Sequence, residues 1–411
     1  KTAVRAGYGI SYDRMTDLVL SMFQLQYPFS LFGSYSPAEG GHSGVWPDVA
    51  YFGSGLPVPA VELHLPPETF TQTHIFNTDW RQPYVQTWNV SVQRELWPGH
   101  LLSVAYVGSA GVHLLTRRDI NQMRRPSPEL IQSLADNGLG TDSVPWSVNR
   151  YQRQNTQYES IWLIDSNAHS TYHGLQVEFS RRFQAGLQCQ ANWTWSKALD
   201  DNSEISPGNA YTDPYDLAYD RGYSDNDIRH VVNASFIWQL PVGPGRRWGG
   251  SLSGFWGALA GGWQVNGIFQ ARTGPPLTVY AKRDTLGGVG RPRPNVLSYD
   301  VNAEGNRVGP TADNFTNWKT DINLMTPKGN AYRGQFRGAG YWNVDFSILK
   351  EVRMPWFTAD GSTLQFRLEA FNLFNHTNYG YPDLSLDSAT MGDSFYTYAN
   401  RQIQLGMKFI F

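Results

Sequence analysis

Stretches that alternate apolar and polar residues one by one recur along this chain, and the connections between them are long and short in turn. Such alternation belongs to a strand, whose successive side chains point to opposite faces; a helix with 3.6 residues per turn would mix the two sets. In the clearest pair, Leu175, Val177 and Phe179 alternate with Gln176, Glu178 and Ser180 up to a turn at Gln184-Ala185-Gly186. Leu187, Cys189, Ala191, Trp193 and Trp195 then alternate with Gln188, Gln190, Asn192, Thr194 and Ser196. About ten such strands are expected, each near the ~10 residues that a tilted strand needs to cross a bilayer. The first covers 2–13 and the last 402–411. Long connections are expected at 14–83, 108–170, 197–228, 273–340 and 375–398, with a short helix at 128–137 inside the second. Short ones are expected at Trp97-Pro98-Gly99-His100, at 184–186 and at 355–361, with a Gly-rich connection after the break Pro241-Val242-Gly243-Pro244-Gly245. An up-and-down barrel in an outer membrane has that rhythm, with short periplasmic turns and long external loops. Greek-key sandwiches have no reason to keep their long connections at one end.

Composition narrows the choice further. Aromatic residues at 14% and charged residues at 17% suit the aromatic girdles of a membrane barrel, and equally a carbohydrate-binding β protein. The net charge of −2 gives no global field directed at nucleic acid. No run of about 18 apolar residues, the minimum for a membrane-crossing helix, occurs. Cys189 is the single cysteine, so it allows no internal disulfide and matches no metal or redox spacing. Lys1-Thr2-Ala3-Val4-Arg5 opens directly into a strand without a signal peptide, and a truncated product is expected. In the final strand Ile403, Leu405, Met407, Phe409 and Phe411 share one face, against Gln402, Gln404, Gly406 and Lys408. Taken alone, that segment fits the last strand of a soluble sandwich equally well; the loop rhythm favours the barrel.

The fold class that follows is all-β, an antiparallel up-and-down transmembrane β-barrel. Its apolar face, with Leu187, Ala191, Trp193, Leu405 and Phe409, is expected to meet lipid. The polar face is expected to line a hydrated lumen through Gln188, Asn192, Asn343, Asp345, Arg367, Glu369, Gln404 and Lys408. Trp88, Trp193, Trp195, Trp263 and Trp342 suit the two interface levels, with ordinary packing as the alternative. The acidic loop with Asp200, Asp201, Glu204, Asp213, Asp216, Asp220, Asp225 and Asp227 lacks the spacing of a calcium-binding loop and reads as solvated. Asp225, Asp227 and Arg229 are expected to form a charge network at the barrel mouth. Scattered histidines, Gly287-Gly288-Val289-Gly290 without a following lysine, and the lack of a Gly-x-Ser-x-Gly elbow suggest neither metal, phosphate nor acyl-transfer chemistry. Neither a catalytic residue nor a cofactor is assigned. Asp345, Arg367 and Glu369 on neighbouring strands read as a structural charge ladder. The competing class is a soluble, aromatic-rich carbohydrate-binding or glycoside-hydrolase β protein.

Several segments carry a family resemblance. They are Tyr223-Ser224-Asp225-Asn226-Asp227-Ile228-Arg229-His230 before a strand ending Gln239-Leu240-Pro241, and Gly261-Gly262-Trp263-Gln264-Val265-Asn266-Gly267-Ile268-Phe269 followed by Thr273-Gly274-Pro275-Pro276. Phe336-Arg337-Gly338-Ala339-Gly340-Tyr341-Trp342-Asn343-Val344-Asp345 and Leu364-Gln365-Phe366-Arg367-Leu368-Glu369-Ala370-Phe371-Asn372-Leu373-Phe374-Asn375-His376 complete the set. In this order they resemble the C-terminal barrel of Oar-like TonB-dependent receptors, best from Thr171 onward. The resemblance implies a barrel of about 22 strands with a plugged lumen, of which 1–411 is the C-terminal part, with the plug and N-terminal domains outside it. It implies a Gram-negative outer-membrane location and movement or binding of a glycan, peptide or siderophore. The implied partners are outer-membrane lipid, the barrel assembly machinery reading Met407, Phe409 and Phe411, and a TonB-type energy-coupling protein.

Overall fold

The computed structural model describes residues 1–13, 37–38, 41–42, 71–122, 153–203, 211–280, 293–301, 303–315, 329–354, 361–386 and 388–411. Ten long strands form one antiparallel sheet in chain order: β1 (Thr2–Tyr12), β2 (Tyr84–Trp97), β3 (His100–Asp119), β4 (Tyr158–Gln184), β5 (Leu187–Asp200), β6 (His230–Gln239), β7 (Trp263–Arg272), β8 (Tyr341–Met354), β9 (Ser362–Phe371) and β10 (Gln402–Ile410). Among the described residues β1 pairs only with β2, and β10 only with β9, so both edges are open.

Register carries each face unbroken from strand to strand. Val4 lies opposite Val92, Val92 opposite Val104, Val104 opposite Val177, and Val177 opposite Trp193. Further along, Ala234 faces Phe269, Phe269 faces Val344, and Ile348 faces Leu368, which faces Leu405. The other face holds the row Glu178, Asn192, Asn233, Gln270 and Asn343. A second polar row is Asn266, Ser347, Glu369 and Gln404. Ile237 and Ile268 intrude on the polar face and Lys350 on the apolar one.

Two of the short connections are two-residue turns. Gly99 at φ +79° follows Pro98, and Ala185 and Gly186 both take left-handed backbone, which matches the twist of the flanking strands. The connection after Gln239 is not a simple turn: it folds into a helix, α1 (Gly254–Ala260). The expected helix at 128–137, the Gly287–Gly290 segment and most of the turn at 355–361 lie outside the described residues.

Strands β3 and β4 run further than their alternation suggests. The hairpin continues past Gly111 through two register shifts to pair Asp119 with Trp162. There Thr71–Phe76 adds itself in parallel beside Tyr158–Ile164. Leu115, Trp162 and Ile164 are buried, with Phe76 and Trp80 packed on Leu115 and Ile164. Here burial takes in polar side chains too, Thr116, Asp119, Ser160 and Asp165 among them, and two register shifts interrupt the pairing, so strict alternation, which predicts a loop from 108 to 170, does not mark these strands.

Apolar residues are distributed inside out. On strands of the wall paired on both sides, Val90 is 48% and Leu368 42% exposed, whereas Leu277, Val279, Phe315, Phe336, Leu386 and Met391 form a closed core between the long connections. A water-soluble sheet would have the reverse arrangement. Lipid is the solvent that suits an exposed apolar wall.

Two glycines of the apolar face serve as seats for aromatic rings. Trp88 lies over Gly108, and Phe236 over Gly267, each directly across the strand pair. A Cβ on Gly108 would come within 2.3 Å of the Trp88 ring, whereas one on Gly9 would meet only Thr87 Oγ at 3.5 Å. Gly108→Ala should therefore lower folding stability in detergent by about 1–3 kcal/mol. Gly9→Ala should be near neutral when both are measured by urea unfolding.

Candidate functional site

The long connections converge at one end of the sheet, where arginines bind them to the strand ends. Asp200, at the end of β5, receives Arg333 through its carboxylate and, at 2.8 Å, its carbonyl oxygen. Burial pulls the Arg333 guanidinium down to about 10, which leaves it cationic in any neutral medium. Arg293, 1% exposed, pairs with Asp220 at 2.7 Å, stacks 3.7 Å above the Tyr219 ring and donates to Ala331 O at 2.9 Å. Asp220 also accepts the Thr212 hydroxyl at 2.9 Å. Arg221 pairs with Asp201 at 2.8 Å, whose other oxygen accepts the His169 N–H at 2.7 Å. Asp201 and Asp220, with burial as the larger cause, raise the pKa of the buried Tyr211 hydroxyl and keep it protonated.

The charge network found here is not the expected one of Asp225, Asp227 and Arg229. Asp227 pairs with Arg337 rather than Arg229, and its other oxygen accepts the Ala198 N–H at 2.6 Å. Arg229 instead faces the Tyr223 ring, which Arg337 and Lys197 also approach at 4.7 and 5.5 Å. Four of the acids expected to be solvated are not: Asp200, Asp201, Asp220 and Asp227 are buried and committed to arginines, whereas Asp216 and Asp225 are exposed. Glu204 lies outside the described residues.

Below this lid the polar face opens a pocket of about 260 Å³, lined by Asn233, Gln270, Arg272, Tyr341 and Tyr398 among others. Arg272 lies 5.5 Å from the Tyr341 ring centre and donates to Tyr398 Oη at 3.1 Å. Tyr341 and Tyr398 meet edge to face at 5.1 Å. Among the described residues no carboxylate pairs with Arg272, so the Tyr341 ring and the Tyr398 hydroxyl hold an exposed cation. Such a group can grip an anionic or hydroxylated ligand through its fork of donors.

Asn343, Asp345, Arg367, Glu369, Gln404 and Lys408 share one face of the sheet and Met407 and Phe409 the other, but they do not form one cluster. Asn343 donates to Asp345 at 2.8 Å, and Asp345 also accepts the Asn372 N–H at 2.9 Å. That second bond fixes the corner where β9 ends. Asn372 takes a left-handed backbone, exchanges bonds with His376 and donates to Ala399 O. Arg367 donates to Gln365 at 2.8 Å, and Gln365 in turn to Glu351 at 2.9 Å. Glu369 lies opposite Gln404, and Lys408 opposite Gln365. On the apolar face Met407 lies opposite Phe366 and Phe409 opposite Leu364, with the Phe411 ring 5.8 Å from that of Phe409. Sequence reading missed Arg293, Arg333, Arg337 and Tyr398, which lie in aperiodic loops or too close to loop ends for any pattern to reveal them.

Replacing Arg293 by Ala would leave the Asp220 carboxylate buried without its cation, a loss of roughly 3–5 kcal/mol. Hydrogen exchange should accelerate in 211–223 and 293–301 while the wall strands keep their protection. A second expectation concerns pH. Burial, then the Arg117 charge, hold the His74 imidazole down to about 4. The ring is therefore neutral in the fold, while the unfolded segment takes up a proton below ~6.5. Docking of Thr71–Phe76 should be fully stabilised above ~6.5 and weaken as pH falls toward 4. Exchange rates of those amides, corrected for intrinsic pH dependence, should show this, and His74→Gln should abolish it.

Residues 1–404 match the family described as outer membrane beta barrel domain. No curated protein sequence matches the chain. Among solved structures, the outer membrane transporter YddB from Escherichia coli aligns at 8% identity and TM-score 0.43, over 83% of this chain and 34% of that one. The ferric-catecholate import receptor Fiu of E. coli K12 aligns at 9% identity and TM-score 0.40, over 100% and 33%. The FrpB iron transporter of Neisseria meningitidis aligns at 9% and TM-score 0.36, over 82% and 32%. This chain thus spans about a third of the length of these structures. A soluble glycoside-binding or glycoside-cleaving protein is set aside by the family match and the exposed apolar wall: the chain belongs to the outer membrane beta barrel domain family, and its place is the outer membrane.

Proposed function

We propose that this chain is the C-terminal part of an Oar-like, TonB-dependent receptor barrel that binds and passes a large solute of the glycan, peptide or siderophore class. The observation that carries the reading is a polar face running across all ten strands of a sheet whose edges, among the described residues, are open. In hydrocarbon each unpaired backbone group costs several kcal/mol, so β1 and β10 need partner strands. A barrel of about 22 strands would supply them and enclose a lumen wide enough for a plug. Asn343, Asp345, Arg367, Glu369, Gln404 and Lys408 would line that lumen, with Asn343 and Asp345 also bracing the Asn372 corner. Solute would be gripped first at Arg272, Tyr341 and Tyr398. Met407, Phe409 and Phe411 would form the segment read by the barrel assembly machinery. A plug N-terminal to this part would couple the barrel to a TonB-type protein.

The test uses the full-length receptor in its own host. Uptake is screened across ferric siderophores, oligosaccharides and peptides in strains with and without the energy-coupling protein. A solute whose uptake needs both receptor and coupling protein is expected. Arg272→Ala should weaken its binding by about ten-fold, or ~1.4 kcal/mol. Uptake that persists without the coupling protein would remove the TonB-dependent reading.

A further inference from the structure

The connection between β6 and β7 lies on the rim of short turns, beside Gly186, whose carbonyl accepts the Gln239 N–H at 2.8 Å. It carries Arg246 and Arg247, no Asp or Glu, and an unusual density of exposed apolar side chains. Phe255 is 73%, Trp256 66% and Leu259 50% exposed, and these positions share one side of α1. Trp248, also exposed, lies 5.8 Å from the Arg247 guanidinium.

The connection is built to hold that helix in place. Gly257 packs against the Pro244 ring, where a Cβ would approach to 2.9 Å. Gly262, at φ +72°, lets the chain pass so close to β8 that a Cβ would lie 2.3 Å from Glu351 O. The intruder on the apolar face, Lys350, explains itself here. Its ammonium donates to the carbonyls of Ala258, Leu259 and Gly261, capping the C-terminal end of α1, and lies 5.1 Å from the Trp263 ring. A cation suits the negative end of a helix. Trp263 in turn donates to Leu259 O at 2.9 Å.

Lys350 and Trp263 lie opposite one another and on the same face as Val265 and Ile348. The helix is therefore fastened to the apolar side of the wall, at the end that carries the short turns, and its exposed apolar side chains extend that face. We propose that α1 and the adjoining Arg246-Arg247-Trp248 lie in the headgroup layer of the periplasmic leaflet and bind glycerophospholipid. Phe255, Trp256 and Leu259 enter the upper acyl region, about 5–10 Å deep as interfacial helices do. The two arginines, without a neighbouring acid in the connection, face the lipid phosphates.

The experiment places a cysteine at Trp256 of the full-length receptor, with Cys189→Ala, and labels it with a polarity-sensitive dye. The receptor is reconstituted in vesicles of phosphatidylethanolamine and phosphatidylglycerol. Heat-modifiable gel mobility selects folded protein, and Phe255→Cys gives an independent second site. The expected result is blue-shifted emission, protection from aqueous iodide, and stronger quenching by a nitroxide near the top of the acyl chain than by one near its end. A dye at Gln270→Cys should stay open to iodide. Emission typical of water at both helix sites, open to iodide and untouched by either lipid quencher, would overturn the proposal. Protection that arises only on adding periplasmic extract would assign the face to a protein and overturn it equally.

Discussion

No water is available in the hydrocarbon core to satisfy a backbone amide, so each group must find its partner in a neighbouring strand. From β1 to β10 every internal strand pairs on both sides, each with its neighbours in the sequence. Register then does more than join strands. Because side chains alternate, one slip of a residue would exchange the lipid face with the polar one. The shared register from Val4 through Val92, Val104 and Val177 to Trp193 is what keeps the two solvents apart. Lys350 is the informative exception, since its charge is spent on helix carbonyls rather than left in lipid.

The wall was legible in the sequence because its two faces meet different solvents, and that difference is written as period two. Leu187 to Trp195 against Gln188 to Ser196 could hardly be read otherwise. The same logic shows where reading stops. Around Leu115, Trp162 and Ile164 polar and apolar side chains are buried together and the register shifts twice, so β3 and β4 continue without the alternation that would reveal them. The loops themselves have no period at all. Arg293, Arg333 and Arg337 find Asp220, Asp200 and Asp227 across long stretches of chain, and no local spacing encodes such pairs. Asn372 lies between these cases. Its role needs left-handed backbone and a side chain that both donates and accepts, which few residues but asparagine combine.

Two kinds of cohesion therefore coexist in the chain. The wall is held by ladder hydrogen bonds and by aromatic rings seated on Gly108 and Gly267. The outer part is held as a small globular protein would be, by a closed apolar core and buried ion pairs. Buried ion pairs add little net stability compared with apolar packing, but they penalise any arrangement that separates the partners. Here they fix which loop meets which strand end.

The shared outer core has an evolutionary corollary. Leu277, Val279, Phe315 and Phe336 come from the connection between β7 and β8, whereas Leu386 and Met391 come from the one between β9 and β10. Backbone bonds from Val308 and Gly309 to Gly392 O, and from Ser394 to Asn306 O, stitch the two together. Neither loop can be exchanged alone without exposing the other's half of that interior. Diversification of the outer surface would therefore proceed by inheriting the two loops as one cassette that keeps Arg293, Arg333 and Arg337, because Asp220, Asp200 and Asp227 outside it depend on those cations.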